Sequence, residues 1–135
     1  MLRILIAEDE WVSAKLMLHL LGKLGGCTLA SDGDEAIFHF LAAHARGEPF
    51  DVVFLDIGMP KKSGHEVLEA IRDYEAQNGI APEDAVKVII TTVHNDAESE
   101  FAAHLCGCCY MLKPVTREKL VQALYTLGFK ECHGE

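Results

Sequence analysis

Five short apolar runs are spaced along the chain, and longer segments with the period of a helix separate them. The runs occupy residues 4–7, 27–30, 52–55, 86–90 and 109–112. A strand that is continuously apolar is buried on both faces, which is typical of a parallel sheet covered by helices. Because parallel strands need right-handed crossover connections, the pattern predicts an α/β fold, a doubly wound (βα)5 flavodoxin-like sandwich of three layers. We expect a five-stranded sheet in the order 2-1-3-4-5.

The helical segments carry start and stop signals of their own. Ser63 is the predicted N-cap of the third helix, with Glu66 at capping-box spacing, and Thr116 is the predicted cap of the last helix. A fourth, weakly patterned helix is predicted over residues 97–105. The first helix is expected to bury four side chains spaced four apart, Val12, Leu16, Leu20 and Leu24. It is expected to stop at Gly25 and Gly26.

Length and charge limit the class of protein. A chain of 135 residues suits one domain with one core, predicted over residues 1–128 with a short tail at 129–135 and no output domain. The formal net charge of −9 disfavours direct binding of nucleic acid and favours a metal cation or a basic partner. No segment reaches the roughly 20 apolar residues of a membrane helix, and the first run is too short for a signal peptide. We therefore expect a cytoplasmic protein, in which the five cysteines are reduced thiols.

Polar residues follow four of the five predicted strands. Glu8 and Asp9 follow the first strand, Asp56 follows the third, Thr91 and Thr92 follow the fourth, and Lys113 follows the fifth. Open α/β sheets bind ligands at the carboxyl ends of their strands, and the first and third strands flank the point where the strand order reverses. The three carboxylates are therefore expected to converge. Their mutual repulsion favours a bound hard cation, Mg²⁺ or Mn²⁺.

Asp56 is the natural nucleophile of this group, because a carboxylate can form an acyl phosphate. Lys113 offers a positive charge and Thr92 a hydroxyl, both useful for holding a phosphoryl group. Each residue alone is also an ordinary loop or strand residue. Their joint occurrence at the strand ends is what indicates a site.

Four segments together resemble the response-regulator receiver domains of two-component signalling. The stretches are ILIAEDE, FLDIGMPKKSG, VIITTVH and YMLKP, and they occur in the family's order over essentially the whole chain. The resemblance implies a stand-alone receiver of the chemotaxis or phosphorelay type. Asp56 is then expected to accept a phosphoryl group from a sensor histidine kinase or a histidine phosphotransfer protein. The phosphorylated form is expected to signal to an unidentified output protein, as a monomer or a weak dimer.

The resemblance also implies a role for each site residue. Asp9 and Asp56 are expected to bind Mg²⁺, with the backbone carbonyl of Gly58 as a further ligand and Glu8 helping directly or through water.

Lys113 is expected to pair with Asp56 and then with the phosphoryl group, through a cis bond to Pro114. Thr92 is expected to bind a phosphoryl oxygen, and Tyr110 to change rotamer as Thr92 moves. The face that changes is expected to comprise the fourth predicted helix, the fifth strand and the last helix. The chain itself is not expected to be an enzyme beyond slow self-dephosphorylation.

Some positions depart from the family pattern. Glu8 stands where Asp is usual, and Val93 stands where Ala or Gly is usual, so its bulk is expected to slow the exchange of donors and water. Zinc or a redox switch is conceivable for the cysteines of the HLCGCCYM segment (Cys106, Cys108, Cys109), although buried small residues are the expected use.

Three other functions remain open at this point. A metal-dependent phosphohydrolase of one large family would carry a second Asp where this chain has Gly58. A flavodoxin-like cofactor binder would need a phosphate loop where Glu8, Asp9 and Glu10 stand. A pseudo-receiver would bind partners without phosphate.

Overall fold

A computed structural model gives the architecture of residues 1–93 and 109–129. The strands are β1 (Leu2–Ala7), β2 (Gly25–Ala30), β3 (Val52–Asp56), β4 (Lys87–Thr92) and β5 (Cys109–Leu112). The helices are α1 (Trp11–Leu21), α2 (Gly33–Ala45), α3 (Gly64–Gln77) and α4 (Arg117–Thr126), with a 3₁₀ turn at Pro82–Asp84. The predicted helix at 97–105, the residues Cys106 and Cys108, and residues 130–135 of the predicted tail lie outside the described residues.

The five strands form one parallel sheet in the predicted order β2-β1-β3-β4-β5. The chain starts in the middle of the sheet, moves to one edge at β2 and then returns past β1 to β3. The point of reversal therefore lies between β1 and β3, where the register pairs Ala7 with Leu55. Among the helices of the described segments, none is both long and apolar enough to span a membrane.

Two apolar clusters cover the two faces of the sheet. On the first face, alternate side chains of β1, β3 and β4 pack with α2 and α3, and the largest fully buried ring there is Phe40. We call this set the α2–α3 core. On the second face, the remaining strand side chains pack with α1 and α4 around Phe54. Apolar residues on both faces of each inner strand thus give the three layers that the continuous apolar runs predict.

The buried face of α1 differs from the prediction. Ala14, Met17 and Leu21 are buried, whereas Val12 is 70% exposed and Leu16 is 41% exposed. The structure also corrects the end of the helix, because α1 stops at Leu21 and the two glycines predicted to terminate it begin β2. Residues four apart advance by more than one helical turn, so a row of them winds away from the sheet, while alternate spacings of three and four stay on one face.

The predicted helix starts are confirmed. Ser63 and Glu66 form a reciprocal capping box at the start of α3. Thr116 accepts a hydrogen bond from the backbone N–H of Lys119 at the start of α4. Both caps directly follow loops that leave the carboxyl edge of the sheet, so they fix where the chain turns away from that edge.

Candidate functional site

Three carboxylates meet at the carboxyl edge of the sheet, where the strand order reverses. Glu8 directly follows β1, and Asp56 is the last residue of β3; both are buried, with 2% and 9% exposed. Asp9 is exposed. One carboxylate oxygen of each residue lies within 4.8 Å of the others. The convergence expected from the sequence is therefore present, and three hard oxygen donors face a common point.

Lys113 is the cation of this group. Its Nζ lies 3.0 Å from Oε1 of Glu8 and 3.5 Å from Oδ1 of Asp56. Its backbone N–H donates to the carbonyl oxygen of Thr92 at 2.7 Å, which ties the loop after β5 to the end of β4. The peptide bond to Pro114 is cis, as the resemblance implies.

The charges of the group are only partly balanced. Burial raises the pKa of Glu8, although hydrogen bonds from Lys113 and from the backbone of Glu10 oppose the rise. Asp9 is exposed overall, but partial desolvation of its carboxyl group, followed by the neighbouring Asp56 side chain, raises the pKa of Asp9. Burial would lower the pKa of Lys113, but its hydrogen bond to Glu8 and the charge of Asp56 outweigh that effect and raise it. The carboxyl groups of Glu8 and Asp9 therefore resist ionisation beside the charged Lys113, and a further positive charge would favour their ionised forms.

The loop between β3 and α3 holds Asp56 through its backbone. The backbone N–H of Gly58 donates to Oδ1 of Asp56 at 3.4 Å, and that of Ile57 donates to the carbonyl oxygen of Thr91 at 3.1 Å. Gly64 brings the start of α3 against β3, because a Cβ at this position would lie 2.8 Å from the carbonyl oxygen of Asp56. A Cβ at Gly58 would meet nothing within 4 Å. The sequence marked Gly64 only as part of a motif, whereas the structure gives it a steric reason.

The two predicted switch residues lie on neighbouring strands. Thr92 is buried at the end of β4, and Tyr110 is half-buried in β5, opposite Ile90 in the register. The Tyr110 hydroxyl lies 2.7 Å from Nε2 of His65, in the first turn of α3. Sequence reasoning did not select His65, since nothing local marks a histidine at a helix start as the partner of a tyrosine on a distant strand.

A cavity of about 330 Å³ opens beside the carboxylates, between α1 and the loop after β5. Val93 borders it and is 67% exposed. Lys113 and Glu8 also line it, next to apolar side chains of Leu16 and Met17. The position of Val93 agrees with a role in controlling access to the site, and its effect on exchange stays a prediction.

The chain matches the family model described as "Response regulator receiver domain" over residues 4–125. It is 29% identical over 145 residues to "Probable histidine kinase 2" of Oryza sativa subsp. indica, covering 99% of this chain. It is 30% identical over 128 residues to "Hybrid signal transduction histidine kinase I" of Dictyostelium discoideum, covering 92% of this chain. The chain spans only 13% and 7% of these curated relatives.

Solved structures show the same fold. The CheX-CheY-BeF3-Mg+2 complex from Borrelia burgdorferi matches with a TM-score of 0.79 at 22% identity, over 93% of this chain and 88% of that chain. The receiver domain of Ssk1, solved with the histidine phosphotransfer protein Ypd1 of Saccharomyces cerevisiae, matches with a TM-score of 0.76 at 28% identity. The match covers 91% of this chain and 86% of that chain. Together with the family model, the fold and the order of the motifs, these matches show that the chain belongs to the response regulator receiver domain family of two-component and phosphorelay systems.

Proposed function

We propose that this receiver accepts a phosphoryl group on Asp56 from a phosphohistidine donor and signals through the resulting change of shape. One observation carries the proposal. Asp56 is held at the tip of a buried strand, with the Lys113 ammonium 3.5 Å from its Oδ1 and two further carboxylates within 4.8 Å. A rigidly placed carboxylate beside a fixed cation is suited to attack phosphorus and to keep the product charge balanced.

The transfer step uses the side chains of this group directly. A carboxylate oxygen of Asp56 forms the new O–P bond, while the P–N bond of the donor breaks and its electron pair stays on the imidazole nitrogen. The Lys113 ammonium then balances the negative charge of a phosphoryl oxygen as well as that of Glu8. The Thr92 hydroxyl is proposed to hydrogen-bond another phosphoryl oxygen, because Thr92 ends the strand that neighbours Asp56 in the sheet.

The carboxylate group fits a magnesium ion. Its donors are hard oxygens on three residues, and the charge of Asp56 adds to the raised pKa values of Glu8 and Asp9, a repulsion that a bound cation would relieve. Asp9 and Asp56 would hold the ion, with the carbonyl of Gly58 and with Glu8 directly or through water; Mn²⁺ offers the same chemistry. When bound, the ion would supply charge that stabilises the phosphoryl oxygens.

The signal is proposed to leave through the face formed by β5, α4 and the helix predicted at 97–105. Phosphorylation changes the charge at Asp56, and movement of Thr92 and Tyr110 then biases a pre-existing equilibrium. A change from mostly inactive to mostly active requires about 5.5 kcal/mol of differential stabilisation. Bonds from Lys113, Thr92 and Mg²⁺ to one phosphoryl group are a sufficient source, because charge-assisted hydrogen bonds contribute about 1.5–3 kcal/mol each.

The proposed donor is a sensor histidine kinase or a histidine phosphotransfer protein. The relatives named above are histidine kinases, and the Ssk1 receiver was solved with a phosphotransfer protein. The net charge of −9 favours a protein with a basic face as the output partner and argues against direct recognition of nucleic acid. The chain's own chemistry is proposed to end with slow hydrolysis of its acyl phosphate.

The test is intact mass spectrometry after incubation with Mg²⁺ and acetyl phosphate, phosphoramidate or a phosphorylated phosphotransfer protein. We expect the mass of one phosphoryl group on the wild type and none on Asp56→Asn. Asp73→Asn, which alters an exposed carboxylate on α3, is the matched control and should be modified like the wild type. Absence of modification with every donor would contradict the proposal and favour a pseudo-receiver. Rapid release of inorganic phosphate at many turnovers would instead favour a phosphohydrolase.

A further inference from the structure

His65 and Tyr110 form a direct contact between two elements of the described structure that are far apart in sequence. The Tyr110 hydroxyl and Nε2 of His65 are 2.7 Å apart, a short distance for a hydrogen bond to a ring nitrogen. The two rings are also nearly parallel, with an interplanar angle of 16° and centroids 6.1 Å apart. Both residues are partly buried. A hydrogen bond together with ring contact restricts the rotation of Tyr110 in two ways.

The backbone fixes His65 to the segment that carries Asp56. His65 lies in the first turn of α3, between the two residues of the Ser63–Glu66 capping box. The preceding residue, Gly64, donates its backbone N–H to the carbonyl oxygen of Ile57 at 3.2 Å, directly after Asp56. A displacement of the β3–α3 loop therefore moves His65.

Tyr110 sits where such a displacement can be transmitted. Its ring packs against the α2–α3 core, and Ile57 of the β3–α3 loop packs against the same core. It lies in β5, three residues before Lys113, and β5 is hydrogen-bonded to β4, the strand that ends at Thr92. Tyr110 is thus in contact with α3 on one side and belongs to the strand that leads to Lys113 on the other.

We propose that His65 is a positioning residue that holds Tyr110 against the α2–α3 core and couples the β3–α3 loop to β5. This inference rests on the proposed function, because it supplies a second connection, besides Thr92, between Asp56 and Tyr110. Loss of the hydrogen bond is expected to change the ratio of packed to unpacked Tyr110 about three- to tenfold, the effect of one hydrogen bond.

The first experiment uses the unphosphorylated chain labelled with 3-fluorotyrosine and observed by ¹⁹F NMR. The three tyrosines are Tyr74, Tyr110 and Tyr125, and single Tyr→Phe variants assign their resonances. In His65→Leu we expect the Tyr110 resonance alone to shift or divide. In His65→Gln, whose terminal nitrogen reaches a similar position, it should return toward the wild type. The matched control is His19→Leu, which alters an exposed histidine on α1 and should leave Tyr110 unchanged.

An unchanged Tyr110 resonance in His65→Leu, or an equal change in His19→Leu, would overturn the inference. Where His65→Leu does not fold, the contact is tested from the other side in Tyr110→Phe with ¹⁵N-labelled histidine. The nitrogen resonances of His65 should then move while those of the other histidines do not, and an unmoved His65 would equally overturn it.

The second experiment measures coupling. Wild type and His65→Leu are brought to the same phosphoryl occupancy, measured by intact mass, and the shift of the Tyr110 resonance on phosphorylation is compared. We expect a shift at least twofold smaller in His65→Leu, and restored in His65→Gln. An equal shift at equal occupancy would refute the coupling. A wild type that takes up no phosphoryl group would instead refute the proposed function, while the experiment on the unphosphorylated chain would still test the contact.

Discussion

Gly64, the first residue of α3, has no side chain where the helix begins against the end of the strand that carries Asp56. A Cβ there would lie 2.8 Å from the carbonyl oxygen of Asp56 and 3.0 Å from Cα of Ile57. Both of these neighbours are backbone atoms and cannot rotate away. At the scale of a residue, the position of the proposed phosphoacceptor therefore depends on the absence of a methyl group eight positions later in the chain.

Gly64→Ala is expected to destabilise the fold by about 1–3 kcal/mol, because the added methyl group must push α3 away from β3. Gly58→Ala is the matched control, since a Cβ there meets nothing within 4 Å and its carbonyl oxygen is retained. Urea unfolding followed by circular dichroism measures both. Equal free energies of unfolding for Gly64→Ala and Gly58→Ala would show that α3 can move away at little cost.

At the scale of an element, α3 also fixes the segment that leads into β4. Glu75 is buried, with 4% exposed, and its Oε2 accepts a hydrogen bond from the backbone N–H of Val86 at 2.8 Å. Nη1 of Arg72 lies 2.8 Å from Oε1 of Glu75 and donates to the carbonyl oxygen of Val86 at 2.9 Å. One carboxylate and one guanidinium thus satisfy both backbone groups of the residue that precedes β4.

Glu75→Ala is expected to cost about 2–4 kcal/mol of stability, because it leaves a buried N–H without its acceptor and removes the partner of Arg72. Glu69→Ala, on the exposed face of the same helix, should change the free energy of unfolding by less than about 0.5 kcal/mol. Chemical denaturation of both variants provides the measurement. A loss in Glu75→Ala no larger than that in Glu69→Ala would mean that the Val86 contact contributes nothing.

The loop that carries Lys113 is held from α4. Nζ of Lys119 donates to the carbonyl oxygens of Leu112 at 2.9 Å and of Pro114 at 3.0 Å, the residues on either side of Lys113. A lysine in the first turn of a helix is disfavoured by the helix dipole. Its two carbonyl partners offset that cost and hold the backbone from which Lys113 extends toward Asp56.

Lys119→Met is expected to slow phosphoryl uptake from a small donor about three- to tenfold, while stability changes by less than about 1 kcal/mol. Lys119→Arg should restore part of the rate, and Lys23→Met, at an exposed position after α1, should have the wild-type rate. The rate is followed by intact mass against time. If Lys119→Met takes up the phosphoryl group as fast as Lys23→Met, the hydrogen bonds of Lys119 do not position Lys113.

At the scale of the whole molecule, the stability of the domain should respond to magnesium and to pH together. Burial raises the pKa of Glu8 above its ordinary 4.5, and partial desolvation together with the Asp56 side chain raises that of Asp9 above 3.8. An acid whose pKa is higher in the folded state lowers stability once it is ionised, and falling pH relieves that cost as the folded-state pKa is passed. Mg²⁺ binds the ionised forms of these acids. As the pH falls, its stabilising effect should therefore begin to weaken while the pH is still above those ordinary pKa values.

We therefore expect Mg²⁺ to raise the melting temperature more at about pH 7.5 than at about pH 5. Asp9→Asn should lose most of this rise, and Asp73→Asn should keep it. Thermal unfolding at both pH values, with and without Mg²⁺, is the measurement. The same rise at both pH values, or an undiminished rise in Asp9→Asn, would count against a magnesium site at these carboxylates.

The sequence was sufficient for the features that local patterns determine. Continuous apolar runs predicted the parallel sheet, and the doubly wound arrangement gave its strand order. Residue type and short-range spacing made the caps at Ser63 and Thr116 recognisable. The prediction for the first helix is wrong for the exposed Val12 and Leu16, while Leu20 and Leu24 are partly buried against the core, because residues four apart do not stay on one face of a helix. The contact between His65 and Tyr110 spans 45 positions and depends on side-chain rotamers, so no local pattern could reveal it.

Chemical location of the phosphoryl group tests the assignment of Asp56 as phosphoacceptor most directly. Borohydride reduces an aspartyl phosphate to homoserine, and peptide mass spectrometry then identifies the reduced position. After phosphorylation in the presence of Mg²⁺, we expect homoserine at position 56 and none in Asp56→Asn. Reduction at another carboxylate, or a phosphorylated protein whose residue 56 is not reduced, would contradict the claim that Asp56 is the phosphoacceptor.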